Sequence, residues 1–411
     1  MRLLTLNSYC FPEVTAASHL SKDLQEAYVK DKDITLEIYT PYPSRGVTDE
    51  VRREYIKDKK NETLHDGKMI IHRYPLMKEG KGTIQRFLRY MLLICKKTYY
   101  GLKAKDCDVL FTSSTPPVNG IMMCILKKFK KYKIVYNLQD IFPDSMCVAG
   151  MTKKGSLLWK IGRFVENKTY KAADKILVIS EDFKKNIMQK GVPEEKIEIV
   201  YNWIDENEVV SIPRDENTLC DKYDIDKNKF IVTYSGNIGH SQNIEMLAQT
   251  AKMLLDNKDI LFVVIGEGAR KETLLKLVEE NKLTNVKVLP FQDYADISHV
   301  FSLGDCGLVI SKKGTGANSL PSKTWSIMSS QRAVIASFDK GTDLDRILTQ
   351  SNCGVCIEPD DATALKEAVE KLYMDREMTV QMGKNGREYI LNNLTKEIGT
   401  ANTIKVLKSV L

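Results

Sequence analysis

Three stretches in the second half of the chain have the residue types and spacing to hold a phosphate group. An apolar run at 230–234 leads directly into Ser235-Gly236-Asn237-Ile238-Gly239, then His240-Ser241-Gln242, with a helical pattern from Asn243. A strand, a glycine turn and a helix start offer backbone N–H groups and the positive end of a helix dipole to an anion. The same pattern also fits an ordinary tight strand-to-helix turn. Leu320-Pro321-Ser322-Lys323 opens a second helical pattern. Proline, a hydroxyl and an amine suit a first helical turn and an anion together, although a capped helix with an exposed lysine explains them when taken singly. The third stretch, Val263-Val264-Ile265-Gly266-Glu267-Gly268, imitates the start of a dinucleotide-binding turn. Position 271 is lysine where that fingerprint has its third glycine, and no acid closes the next strand at 287–289. A nicotinamide dehydrogenase is therefore disfavoured.

In the first half the candidates are Glu13, His19, Ser114, Gln139 and Asp140. Asp140 comes just after the strand pattern 134–137, the end at which open α/β sheets place their sites. A carboxylate there can orient or deprotonate a bound hydroxyl; it also fits an N-cap. His19 is a lone histidine in the first helix, as compatible with packing or exposure as with catalysis. Ser113-Ser114-Thr115-Pro116-Pro117 ends another strand and suits the wall of a pocket. The acid pairs Asp224/Asp226 and Asp343/Asp345 read as exposed loop residues rather than metal ligands, and no metal is expected. Cys353-Gly354-Val355-Cys356 has no second pair and lies in an apolar strand, so buried thiols are expected there rather than zinc or redox chemistry.

The elements that must position these residues alternate short apolar runs with longer amphipathic ones, the pattern of βαβ units and parallel sheets. Strands are expected at 3–6, 35–39, 70–74, 109–112, 134–137, 176–179 and 198–200. The pattern starts again at 230–235 and continues at 261–265, 287–289, 307–310, 333–337 and 354–357. Helical patterns fall between them, as at 17–29, 84–102, 155–172 and 181–189. With 411 residues, 43% of them apolar, the chain suits two cores. The polar stretch 209–226 around Pro213 is the expected linker. It separates a first Rossmann-like domain at 1–208, completed by a last helix at 396–411, from a second at 209–395. No run of about 18 apolar residues is present. Nine cysteines without framework spacing suit reduced thiols, and a cytoplasmic location is expected.

The order and spacing of these segments resemble the retaining glycosyltransferases of family 4 over nearly the whole chain. The likeness begins with Tyr9-Cys10-Phe11-Pro12-Glu13. It runs through Val178-Ile179-Ser180-Glu181 and Ile199-Val200-Tyr201-Asn202-Trp203-Ile204-Asp205 to Gly236-Asn237-Ile238-Gly239, Ile265-Gly266-Glu267-Gly268, Leu289-Pro290-Phe291-Gln292 and Leu320-Pro321-Ser322-Lys323. Asp140-Ile141-Phe142-Pro143-Asp144-Ser145 is similar to a segment of the branch that builds O-antigen, capsule or colanic-acid-type polysaccharides. The resemblance implies a GT-B fold, two Rossmann-like domains with parallel sheets facing across a cleft. It implies a nucleotide-sugar donor, UDP-linked by expectation, in the second domain. There Gly236, Asn237, Gln242, Gly266, Glu267, Gln292, Asn318, Ser322, Lys323 and Ser326 are the expected donor-binding residues. Asp140 and His19 are the expected catalytic residues, and Glu13, Ser114 and Gln139 the acceptor-binding ones. Asn318 and Ser326 stand where the family has paired glutamates, Gln139-Asp140 where it often has His-Asp, and Ala16-Ala17 where it has two glycines. A UDP-sugar 2-epimerase of the same fold and a non-catalytic sugar-nucleotide-binding protein are the rival readings.

The net charge of +7 has a local origin in the first half. Ile84, Phe87, Leu88, Met91, Cys95, Tyr99 and Leu102 recur at steps of three and four, one side of a helix. Arg86, Arg89, Lys96, Lys97 and Lys103 fall opposite, interrupted by Tyr90 and Leu93. Apolar residues exposed among cations suit an anionic membrane surface. Arg86, Arg89, Tyr90, Leu93 and Lys96 are the expected contacts, with a lipid-linked saccharide as acceptor. Lys127, Lys128, Lys130, Lys131 and Lys133 add to the charge of the same half, but no nucleic-acid motif accompanies them and no nucleic-acid partner is expected.

Overall fold

The computed structural model describes residues 1–13, 18–80, 82–148 and 150–411, so the alanine pair at 16–17 lies outside the described residues. The chain divides into two compact units: Met1–Tyr201 with Gly399–Leu411, and Asn202–Ile398. In the first unit the elements are β1 (Arg2–Leu6), α1 (Ser18–Lys30), β2 (Thr35–Pro41), α2 (Asp49–Asp58), β3 (Asn61–Leu64), β4 (Met69–Tyr74), α3 (Thr83–Lys103) and β5 (Val109–Ser113). They continue as α4 (Asn119–Phe129), β6 (Lys133–Leu138), α5 (Asp144–Val148), α6 (Leu157–Ala172), β7 (Lys175–Val178), α7 (Glu181–Gln189) and β8 (Ile197–Ile199). The sheet order is β3-β4-β2-β1-β5-β6-β7-β8. Every pairing is parallel except β3 with β4. The strand β3 carries no hydrophobic signal in the sequence. It is a mostly exposed edge strand, folded back by His65, Asp66 and Gly67, all at positive φ.

The second unit contains α8 (Thr218–Lys222), β9 (Phe230–Ser235), α9 (Ile244–Met253), β10 (Ile260–Ile265), α10 (Lys271–Glu280), β11 (Val286–Leu289), α11 (Ile297–Ser302) and β12 (Cys306–Ile310). Then come α12 (Lys323–Ser329), β13 (Ala333–Ser337), α13 (Asp343–Ser351), β14 (Gly354–Ile357), α14 (Ala362–Met374), α15 (Arg376–Asn393) and α16 (Lys396–Ser409). The sheet is wholly parallel in the order β11-β10-β9-β12-β13-β14. Its strands are near-continuous apolar runs because both faces are covered. On one face Phe230, Val232, Phe262 and Val264 pack with Leu247 of α9 and Leu365 of α14. On the other, Ile231, Leu261, Val263 and Ile265 pack with Leu219 of α8 and Val300 of α11. The order reverses between β9 and β12, and the carboxyl end of β9 is the turn at Gly236.

The division after Tyr201 falls ahead of 208/209, and the polar stretch 209–226 is not a free linker. Val210 and Ile212 donate backbone N–H to Ser298 and Ser302 Oγ at 3.0 and 2.9 Å, and the Asn217 side chain caps α8. Arg387 holds the carbonyl of Glu206, and Ile204 N–H reaches the Leu394 carbonyl. At the other end of the chain, Lys408 on α16 bridges to Asp31 and Asp33, and Leu407 is buried.

Helix α3 is turned the opposite way from the sequence expectation. Ile84, Phe87, Leu88, Tyr99 and Leu102 are exposed, whereas Leu93 and Ile94 are buried together with Arg89 and Lys97. Leu93 and Arg89 are thus withdrawn from the expected membrane contact; Arg86 is exposed and Tyr90 and Lys96 are half-buried. Periodicity defines the two faces but not which one turns inward, and polar groups at the strand ends decide it here. The Arg89 guanidinium donates to the Met77 carbonyl and Ser44 Oγ, and lies over the Tyr9 ring. Lys97 Nζ donates to Ser8 Oγ at 2.8 Å and Asn119 Oδ1 at 3.1 Å, beyond the carboxyl ends of β1 and β5. Tyr100 stacks between Tyr39 and Tyr74.

Burial pushes the Lys97 amine down to about 7. An amine whose pKa is depressed on folding must release a proton as the chain folds. The stability tied to it therefore rises with pH from about 7 toward its unfolded value of about 10.4, and is flat below 7. Thermal unfolding of the wild type between pH 7 and 9 is expected to show this gain, and the Lys97→Met variant to lack it. Parallel melting curves for the two proteins across that range would contradict the assignment.

Candidate active site

Two glycine turns meet at the carboxyl edge of the second sheet. Gly236 N–H donates to the Ile265 carbonyl at 2.9 Å, Ile238 N–H to the Glu267 carbonyl at 2.8 Å, and Arg270 N–H to the Ile238 carbonyl at 2.9 Å. A methyl group on Gly266 would lie 1.9 Å from the Gly236 carbonyl oxygen. One on Gly268, which has φ 154°, would lie 2.3 Å from that of Ile238. Asn237 nests its amide against Gly239 and Gly268. Tyr234 donates its hydroxyl to the Asn237 carbonyl, and Gln242 Oε1 accepts Gly239 N–H. These bonds use several of the N–H groups that the sequence offers to a ligand. Those of Asn237, His240 and Ser241 keep no partner among the described residues.

Lys323 completes this corner. Its Nζ lies 4.0 Å from the centre of the Tyr234 ring and 2.9 Å from where a Cβ on Gly236 would stand. It begins α12 just after Ser322, whose hydroxyl makes no capping bond to the helix. No carboxylate pairs with Lys323 among the described residues, and burial alone pushes its amine down to about 8. A cation held near a glycine turn without a counter-ion favours an anion brought to it.

The other expected donor residues divide. Gly266 and Gln242 belong to the paired turns. Glu267 is exposed and bridges to Lys271, and Ser326 and Asn318 are half-buried, the latter in the crossing loop after β12. Gln292 is withdrawn: it is buried, bonded to Lys222, to the Tyr223 hydroxyl and to the Pro290 carbonyl. The loop after β12 is held by two acids that motif reading passed over. Asp339 accepts N–H from Gly314 and Gly316, and Asp360 accepts from Lys313 and from the Asn243 side chain. Asp339 lies just past the end of β13, the same placement rule that picks out Asp140. The acid pair Asp343/Asp345 is accounted for by Arg346 and by Gly341 N–H.

In the first unit Ser114, Gln139 and Asp140 come together at the carboxyl ends of β5 and β6. Ser114 is buried, and its Oγ accepts N–H from both Gln139 (3.0 Å) and Asp140 (3.1 Å). It therefore holds the turn at 139–140. The Asp140 carboxylate accepts from Thr115 Oγ1 at 3.3 Å, and burial holds its pKa above the usual carboxylate range. That environment suits proton exchange with a hydroxyl. Glu13 is also withdrawn. Buried, it accepts N–H from Cys10, Ser44 and Arg45, joining the loops that follow β1 and β2. His19 lies half-buried in the first turn of α1. All nine cysteines are free thiols, with Cys353 buried and Cys356 Sγ near the Phe338 carbonyl.

The contact of the two turns has a direct test. Gly266→Ala pushes a methyl into backbone and is expected to destabilise the second unit by about 1–3 kcal/mol. Gly341→Ala meets open space and only a positive φ, for about 1 kcal/mol. Urea unfolding that ranks them the other way would contradict the close approach.

Residues 28–208 match the family model "Glycosyltransferase Family 4", and residues 215–389 match "Glycosyl transferases group 1". The chain is 28% identical to a protein of Escherichia coli K12 named as a colanic acid biosynthesis glycosyl transferase, WcaI, over 67% of each. It is 25% identical to a Pseudomonas aeruginosa protein named as a glycosyltransferase, WbjE, over 66% of this chain and 67% of that one. Among solved structures, Anabaena Alr3699/HepE in complex with UDP superposes over the whole of both chains with TM-score 0.75 at 14% identity. Sucrose-phosphate synthase of Thermosynechococcus elongatus superposes with TM-score 0.78 at 13% identity, over 100% of this chain and 98% of that one. The fold is therefore GT-B. The protein is a glycosyltransferase enzyme, with a Glycosyltransferase Family 4 domain at 28–208 and a glycosyl transferases group 1 domain at 215–389.

Proposed function

We propose that this glycosyltransferase moves a sugar from a nucleotide donor, of the UDP-hexose or UDP-N-acetylhexosamine kind, with retention of configuration. Its acceptor is a polyprenyl-diphosphate-linked saccharide in the assembly of a cell-surface polysaccharide. The observation that carries the donor half is Lys323, partly buried and unpaired beside Gly236. A departing nucleoside diphosphate develops negative charge. An amine and backbone N–H groups fixed at that point stabilise it without a cation having to be recruited. The UDP and UDP-glucose complexes of HepE, whose fold this chain shares, support that donor class. The names of WcaI and of the O-antigen biosynthesis glycosyltransferase WclY support the polysaccharide setting. On the acceptor side Asp140, with its raised pKa, is the group placed to take or orient the hydroxyl proton.

Calorimetry with UDP, GDP, ADP and dTDP tests the donor class. Selective UDP binding, weakened at least about tenfold in Lys323→Ala, is expected for the loss of one charge-assisted contact. Absence of binding to every diphosphate would remove the donor reading. The same site predicts a pH dependence. Only protonated Lys323 attracts the diphosphate, and its free-state pKa is near 8. Affinity should fall as pH rises through 8, with proton uptake on binding that the Lys323→Met variant lacks.

A further inference from the structure

The segment 140–148 leads from Asp140 into α5, and polar contacts from two later helices hold it. Asp144, the first residue of α5, accepts Lys190 Nζ through Oδ2 at 2.7 Å. The same ammonium group donates to Glu166 Oε1 of α6 at 2.9 Å. Glu166 Oε1 also accepts the Tyr170 hydroxyl at 2.6 Å, and its Oε2 pairs with Arg163 Nη1. Lys190 directly follows α7, so one amine joins the ends or flanks of three helices. Helix α6 meets the segment by packing as well: a methyl group on Gly162 would lie 2.9 Å from Pro143 Cβ.

The lysine–glutamate pair is deep, with side chains 12% and 6% exposed. At that depth desolvation offsets most of the attraction, so the pair adds little stability over apolar side chains of similar size. Its more specific contribution is geometric. Two acids and two cations compensate one another only while Asp144, Glu166, Arg163 and Lys190 stay together.

The segment so fixed begins at Asp140, four positions before Asp144. Ile141 between them is fully buried, and Ser145 N–H returns to its carbonyl at 2.9 Å. Tyr136 on β6 connects the two ends of the arrangement. Its ring lies 6.4 Å from that of Tyr170, and its hydroxyl is pushed up by burial first, then by Glu166 and Asp140. The closed loop is also what keeps the Asp140 carboxyl from water, the cause of its raised pKa.

We propose that Lys190, held by Glu166 and acting through Asp144, is a positioning residue that fixes segment 140–148 and with it the Asp140 carboxylate. This deepens the function proposed above and rests on its reading of Asp140 as the group that takes or orients the acceptor proton.

Hydrogen exchange and carboxyl titration of the full chain provide the test. In Lys190→Met, amides of 139–148 should exchange at least about tenfold faster than in the wild type, with β9 and β10 unchanged. Should that variant fail to fold, Asp144→Ala leaves the Lys190–Glu166 pair in place and carries the same expectation for 139–148. The Asp140 carboxyl, followed by NMR of aspartate-labelled protein and assigned with Asp140→Asn, should titrate lower in Lys190→Met than in the wild type. Loss of a cation alone would push it higher, so a downward shift reports water entering the loop rather than missing charge. Faster exchange confined to α6 and α7, with 139–148 and the Asp140 titration as in the wild type, would overturn the proposal. The cluster would then be a brace between those two helices only. An ordinary carboxylate titration of Asp140 in the wild type would instead remove its proton-exchange reading, and exchange at 139–148 would still decide whether Lys190 holds the segment.

Discussion

The Gly236 carbonyl and the α-carbon of Gly266 approach so closely that no side chain fits between them, and much of the second unit's chemistry depends on that contact. It welds the turn after β9 to the turn after β10 through backbone bonds alone, so neither turn needs a ligand to hold its shape. The glycines leave a gap without Cβ atoms, and Lys323 reaches into it from the start of α12. Since the Lys323 amine stands on the face of Tyr234 and not on a carboxylate, the corner keeps an unneutralised positive charge. A fixed positive charge without a counter-ion is the kind of preorganised group that stabilises a negative charge placed beside it.

Much of this was legible in the sequence, for identifiable reasons. Near-continuous apolar runs mark strands buried on both faces, and glycine turns directly after them mark the carboxyl edge. The run from Phe230 to Gly239 therefore announces both a strand and the turn at its carboxyl edge. The strand β3 was not legible, because Asn61-Glu62-Thr63-Leu64 buries little and is defined by its antiparallel partner rather than by its own pattern. Nor was Asp360, which acts on the crossing loop through contacts remote in sequence, whereas the strand-end position of Asp339 was a signal left unused.

Helix α3 shows the limit most clearly. Its two faces were evident from spacing, but the choice of inward face follows from where long cationic side chains find acceptors. Lys97 and Arg89 carry apolar stems through the interior and end at Ser8, Asn119, Ser44 and the Met77 carbonyl. With Lys97 Nζ bonded to two oxygens and Arg89 bonded through two of its three nitrogens, burial of the stems is compatible with exposure of Phe87 and Leu88. Glu13, Ser114 and Gln292 illustrate the same point at smaller scale. Each was expected to face a ligand, and each is buried in hydrogen bonds that join neighbouring loops, which spacing in the sequence does not announce.

The central claim is that the donor diphosphate is received by the two glycine turns and the start of α12. Hydrogen exchange of the wild-type protein with and without saturating UDP tests this most directly. Protection confined to residues 235–243, 266–270 and 320–326, with β11 and β14 unchanged, is the predicted result. Protection absent from all three segments while UDP is bound would contradict it.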